Sequence, residues 1–79
     1  MPRFFLDVQD GDAQVRDEDG QEFADLNAVR RDAVLALSEM ARALPRAARD
    51  RQEIIVGVRD ETGKSVLTAT LSLVVRWTD

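Results

Sequence analysis

The apolar residues of this chain change their spacing twice, and that change restricts the fold more than any other feature. From Arg3 to Gln9 they alternate: Phe4, Leu6 and Val8 are set against Arg3, Asp7 and Gln9, the period of a half-buried strand. Phe5 breaks the alternation by putting an aromatic on the polar side. From Leu26 to Leu44 the spacing becomes three and four. Leu26, Val29, Ala33, Ala36, Leu37, Met40 and Leu44 fall on one side of a helix, flanked by Val34 and Ala41. From Glu53 onward the period of two returns. Ile54, Val56 and Val58 share one face of Glu53–Asp60. Leu67, Ala69, Leu71, Leu73, Val75 and Trp77 share one face of Ser65–Trp77, with Thr68, Thr70, Ser72 and Arg76 opposite. A helical segment between strands predicts an α+β domain: a small antiparallel sheet of three to four strands with one helix across one face.

Turn and cap residues supply the boundaries. Asp25 is suited to cap the helix, its carboxylate accepting from first-turn amides and facing the positive end of the dipole. Pro45 predicts a stop at or just before Leu44, because proline removes an amide and clashes with the preceding turn. Asp10-Gly11-Asp12 and Asp17-Glu18-Asp19-Gly20 read as turns enclosing a short strand at Ala13–Arg16. Gln21–Phe23 returns briefly to extended chain, and Arg46–Gln52 is a polar connection. Asp60–Lys64 closes a hairpin with Gly63 in a left-handed conformation. The order is β-(β)-α-β-β. The helix stripe is expected to pack on Phe4, Leu6, Val8, Ile54, Val56, Val58, Leu67, Leu71, Leu73 and Val75. Folding the hairpin about Thr62 sets Glu53 beside Ser72 and leaves Leu73–Trp77 overhanging, where Phe4–Val8 is placed to cover it.

With 79 residues the chain has room for one domain, spanning 1–79. A chain this short buries only about 60% of the surface its unfolded form exposes. It has no Cys, which excludes disulfides and thiolate metal sites, and no His, which removes the commonest general base and metal nitrogen ligand. A partner chain is the remaining common source of stability. Asp7 interrupts the opening apolar run, which is too short for a signal peptide. No stretch approaches a membrane span, so the expected location is the cytoplasm. Charge is uneven. Residues 1–25 carry Asp7, Asp10, Asp12, Asp17, Glu18, Asp19, Glu22 and Asp25 against Arg3 and Arg16, whereas residues 26–59 are net basic. The overall net charge of −4 argues against a general affinity for nucleic acid or an anionic membrane.

Four groups of residues are candidates for function. The acids of segment 10–25 have the chemistry of a calcium loop. Their spacing does not match one, and two solvated turns account for them. The same acids have no evident pocket in which a pKa would shift, and Ser38, Ser65 and Ser72 have no His to activate them. No enzyme activity and no cofactor are therefore expected. Arg42, Arg46, Arg49 and Arg51 cluster at and beyond the helix end, where they are available to phosphates or solvent. On the uncovered face of the sheet, Phe5, Ile55, Val66 and Val74 would accompany Thr68, Thr70 and Ser72. With Leu35, on the helix side opposite Leu26, they are more apolar than a solvent-facing surface requires.

Across nearly its whole length the chain resembles a set of short bacterial proteins. The resemblance rests on Met1-Pro2-Arg3-Phe4-Phe5-Leu6-Asp7-Val8, Asp10-Gly11, Arg16-Asp17-Glu18-Asp19-Gly20-Gln21-Glu22, and Asp25-Leu26 opening an Ala- and Arg-rich helix. In the second half it rests on Val58-Arg59-Asp60-Glu61-Thr62-Gly63-Lys64 running into Val66–Leu73. These proteins are grouped as domain-of-unknown-function family 6894, with Leu6 a departure from the aromatic usual there. The resemblance implies a proteobacterial source and no assigned activity, so no functional residues carry over. A fainter likeness, of fold order alone, runs to antitoxins of the HicB type. Together these readings predict a small non-catalytic protein acting through its sheet as a homodimer or partner-binding module. The alternative is an antitoxin-like regulator that touches a toxin or nucleic acid through its Arg-rich helix end.

Overall fold

The computed structural model of the chain describes residues 1–47 and 49–78. The elements are β1 (Arg3–Asp10), β2 (Ala13–Val15), β3 (Gln21–Glu22), α1 (Leu26–Ala41), α2 (Leu44–Ala47), β4 (Arg51–Asp60) and β5 (Ser65–Val74). The sheet runs β2-β1-β4-β5, with β3 also on β1, and every pairing is antiparallel. This is the expected α+β arrangement.

The long strands set the register. Leu6 faces Val58 and Val8 faces Val56 across β1 and β4. Ile54 faces Leu71 and Val56 faces Ala69 across β4 and β5. The period-two residues therefore come together on one face, and α1 covers it. Phe4, Val29, Ala33, Leu37, Ile54, Val56 and Val58 form the buried cluster with Phe23. Leu6, Val8, Met40, Leu44, Leu67 and Leu71 pack around it. Phe23 was not separable from loop residues by periodicity. Its amide donates to the Pro2 carbonyl at 3.0 Å, which turns its ring inward to lie 6.1 Å from the Phe4 ring.

Several expectations are corrected. The helix ends at Ala41, capped by Arg42, and does not continue to Leu44. Pro45 is the second residue of the short helix α2, which runs on into the start of the polar connection expected at Arg46–Gln52. In a first turn the missing proline amide is one that would have no intrahelical partner anyway. Leu26, expected on the packed stripe, is 55% exposed, and the buried stripe begins at Val29. β4 begins at Arg51, so Leu73 and Val74 are paired and do not overhang; β1 lies on β4 and covers no part of β5. Beyond β5, the Val75 amide donates to the Asp50 carbonyl at 2.6 Å, while Val75 and Trp77 are exposed.

Candidate functional site

The outer face of the sheet is not uniformly open. Between β2 and β3 the chain leaves the edge of β1, and residues 16–20 fold over the outer face at that end. Asp17 fixes this crossing. Its Oδ2 accepts from the Leu6 amide at 3.1 Å, a donor that a strand neighbour would otherwise satisfy, and its Oδ1 accepts from the amides of Asp19 and Gly20 at 3.2 and 3.0 Å. The Asp17 amide donates to Asp7 Oδ1 at 2.9 Å. From β4, the Arg59 Nε donates to Asp7 Oδ2 at 2.9 Å, and its Nη2 donates to the Asp17 carbonyl. The Arg59 guanidinium also lies 4.6 Å from the centre of the Phe5 ring. Burial pushes the Asp7 carboxyl upward, but the Arg59 hydrogen bond, the Asp17 amide and the positive charge of Arg59 outweigh it. Its pKa is held below the ordinary value of 3.8. At Asp17 burial again acts upward, and the amides of Gly20, Leu6 and Asp19 lower the pKa overall.

This network decides what Phe5 can do. Arg59 covers its ring on one side and Gly20 approaches it on another. A Cβ at Gly20 would lie 2.7 Å from a ring carbon, and Gly20 has φ +68°. Phe5, Ile55, Val66 and Val74 thus do not form one adhesive patch. Phe5 pairs with Arg59, four register positions from Ile55, or roughly 13 Å along the strand. Val66 packs against the buried cluster because β5 carries an irregularity opposite Val58/Arg59 that breaks the alternation. Val74 is 50% exposed at the end of β5. Leu35 is exposed on α1, away from the sheet.

The open apolar surface lies instead along β5. This strand is the sheet's edge, and its ten residues, Ser65–Val74, include no charge and no proline. Thr68, Thr70 and Ser72 are exposed on the outer face. On the helix face a groove of about 610 Å³ runs between α1 and β5, lined by Val34, Leu37, Ala41, Leu67, Ala69 and Leu71, with Arg30 and Ser38 also on its α1 wall. Ala41 also lines a second hollow of about 590 Å³ that continues past Leu44, Leu73, Val75 and Trp77.

The four arginines separate. Arg46 lines a cleft on the helix side with Asp10, Met40 and Gln52. Arg51 lines a hollow on the outer side with Gln9, Gly11, Glu53 and Ile55, and Arg49 lines both that hollow and the one beside Leu44 and Leu73. Arg42 caps α1. Among the described residues no three acids are grouped as a metal site would need. In the 10–25 segment Asp10 accepts from Gln52 Nε2 at 2.9 Å, Asp17 anchors the crossing and Asp25 caps α1.

Residues 3–72 match the family described as domain of unknown function (DUF6894). The chain belongs to that family. Neither a curated protein nor a solved structure matches it significantly. The DUF6894 match takes in the Asp7–Asp17–Arg59 network, all of α1 and β5 as far as Ser72. The family description assigns no activity to any of them.

Proposed function

We propose that this protein acts by contact, adding a strand of another polypeptide to the open edge of β5, with a homodimer as the simplest such assembly. The carrying observation is surface. A folded monomer of 8.8 kDa is expected to expose about 4,800 Å², and this chain exposes 6065 Å². Its radius of gyration is 14.3 Å, against about 12 Å for a compact domain of this length. The excess of roughly 1,300 Å² exceeds the ~800 Å² that each partner commonly contributes to a stable interface. Natural sheets blunt a long edge with lysine, proline or a covering element, and β5 carries none of the three between Ser65 and Val74.

The reading is non-catalytic. The chain has neither His nor Cys, and the Ser38 hydroxyl is committed to the Val34 carbonyl at 2.9 Å. The regulator reading through Arg42, Arg46, Arg49 and Arg51 has weaker support, since Arg46 and Arg51 line hollows on different sides of the sheet, with Arg49 between them. That reading needs a shared phosphate-binding surface. Cytoplasmic residence fits a contact role. No helix among the described residues is long and apolar enough to cross a membrane.

Amide hydrogen exchange tests the reading. In an edge strand alternate amides point away from the sheet and exchange freely. In concentrated protein, the outward amides of residues 66–74 are expected to be protected, and dilution should release them. Free exchange at every concentration overturns assembly through this edge.

A further inference from the structure

We infer that the strand received by β5 is the β5 of a second copy, paired antiparallel about a two-fold axis at Thr70; this rests on the contact reading above. Residues directly opposed in an antiparallel pair share a face. A two-fold normal to the sheet therefore sets a residue against its own copy, or shifts the register by an even number from that pairing. With Thr70 on the axis, Ala69 meets Leu71 and Leu67 meets Leu73 of the other copy on the helix face. Thr68 meets Ser72 on the outer face. All are apolar-on-apolar or hydroxyl-on-hydroxyl pairs. Both this register and the one centred on Ala69 meet the irregularity beside Val66; centring on Thr70 sets Val66 against Val74, whereas centring on Ala69 sets Val66 against Ser72 and Ser65 against Leu73, apolar against hydroxyl. A strand without charges meets its copy without like-charge repulsion. The axis also places both helices on one face. The two grooves, lined by Val34, Ala41, Leu67 and Ala69 with Arg30 and Ser38 on the α1 wall, then merge into one, covered from both sides by the α1 flanks. Val34, 45% exposed in the single chain, faces into that space.

The absence of cysteine makes the test clean. Thr70 is exposed, so Thr70→Cys is placed to leave the fold intact. Mild oxidation of Thr70→Cys is expected to convert most of the chain to a covalent dimer. Thr62→Cys, at the hairpin tip, should stay monomeric. Thr68→Cys and Ser72→Cys should each stay largely monomeric alone and cross-link when mixed, which reads the register. Sedimentation of the unmodified chain adds a measurement independent of substitution: it should report a dimer that Val34→Glu weakens at least tenfold. Failure of Thr70→Cys to cross-link, or equal cross-linking by Thr68→Cys alone, overturns the two-fold at Thr70. If the outward β5 amides are nonetheless protected, strand addition stands and only its occupant or register is wrong. A monomer with freely exchanging β5 amides overturns both.

Discussion

Arg59 does three jobs with one side chain. It pairs with Asp7, donates to the Asp17 carbonyl and lies over Phe5, while only 17% of its side chain is exposed. Removing it leaves the half-buried Asp7 carboxylate short of its main donor. Arg59→Met is therefore expected to lower stability by about 1.5–3 kcal/mol, read as a drop in the urea midpoint. Asp7, Asp17 and Asp60 all have pKa values below 3.8. At Asp60 the Thr62 hydroxyl bond at 2.6 Å is the leading cause, and with the Lys64 and Thr62 amides it outweighs the opposing effect of desolvation. A carboxyl depressed in the fold contributes stability that is fully present above its unfolded value and is lost as pH falls through the lower folded one. Stability should therefore hold at pH values above 3.8 and fall below it. Asp7→Asn should be less stable at neutral pH and show a shallower acid loss in urea titrations at stepped pH. Gly20→Ala places a Cβ 2.7 Å from the Phe5 ring at φ +68°. It should cost at least about 1–2 kcal/mol by thermal unfolding, since left-handed backbone alone is unfavourable by that amount for alanine.

At the scale of the element, α1 depends on its cap and its face. Asp25 is extended, with φ −160°, and its Oδ1 accepts from the Ala28 amide at 2.9 Å. Asp25→Ala should destabilise the protein by about 1 kcal/mol, seen as a lower melting temperature with unchanged assembly, because the cap lies away from the β5 groove. The β4–β5 hairpin is closed by Asp60. Its carboxylate accepts from the Thr62 and Lys64 amides, while Gly63, at φ +89°, donates to its carbonyl. The loop sets Arg59 opposite Ser65, and the irregularity beside Val66 then shifts the register by one, so the expected pairing of Glu53 with Ser72 is reached through that shift and not from the loop alone. The helix stop was misplaced for a local reason. Pro45 forbids a continued helix but is compatible with the first turn of a new one.

At the scale of the molecule, charge and topology pull apart. A net charge of −4, with Arg46 and Arg51 on different sides of the sheet, predicts weak DNA binding that fades steeply with salt. A mobility-shift titration at rising salt checks this, and tight, salt-resistant, sequence-selective binding would favour the regulator reading. The sequence by itself determined the α+β class, the α1 stripe of Val29, Ala33 and Leu37, the inward faces of β1 and β4, the β4–β5 hairpin and the Asp25 cap. Each depends on spacing or on a hydrogen bond within a few residues, so each is written locally. Only the tertiary structure decided that β1 pairs with β4 and leaves β5 as the edge, that Phe23 turns inward, and that Asp17 satisfies the Leu6 amide eleven residues away. It also decided that Phe5 is covered by Arg59 and Gly20, while the open apolar surface lies between α1 and β5. These features join residues distant in the chain. Periodicity shows which face of a strand is apolar, but not which neighbour takes its edge, because every long strand presents amides and carbonyls on both sides.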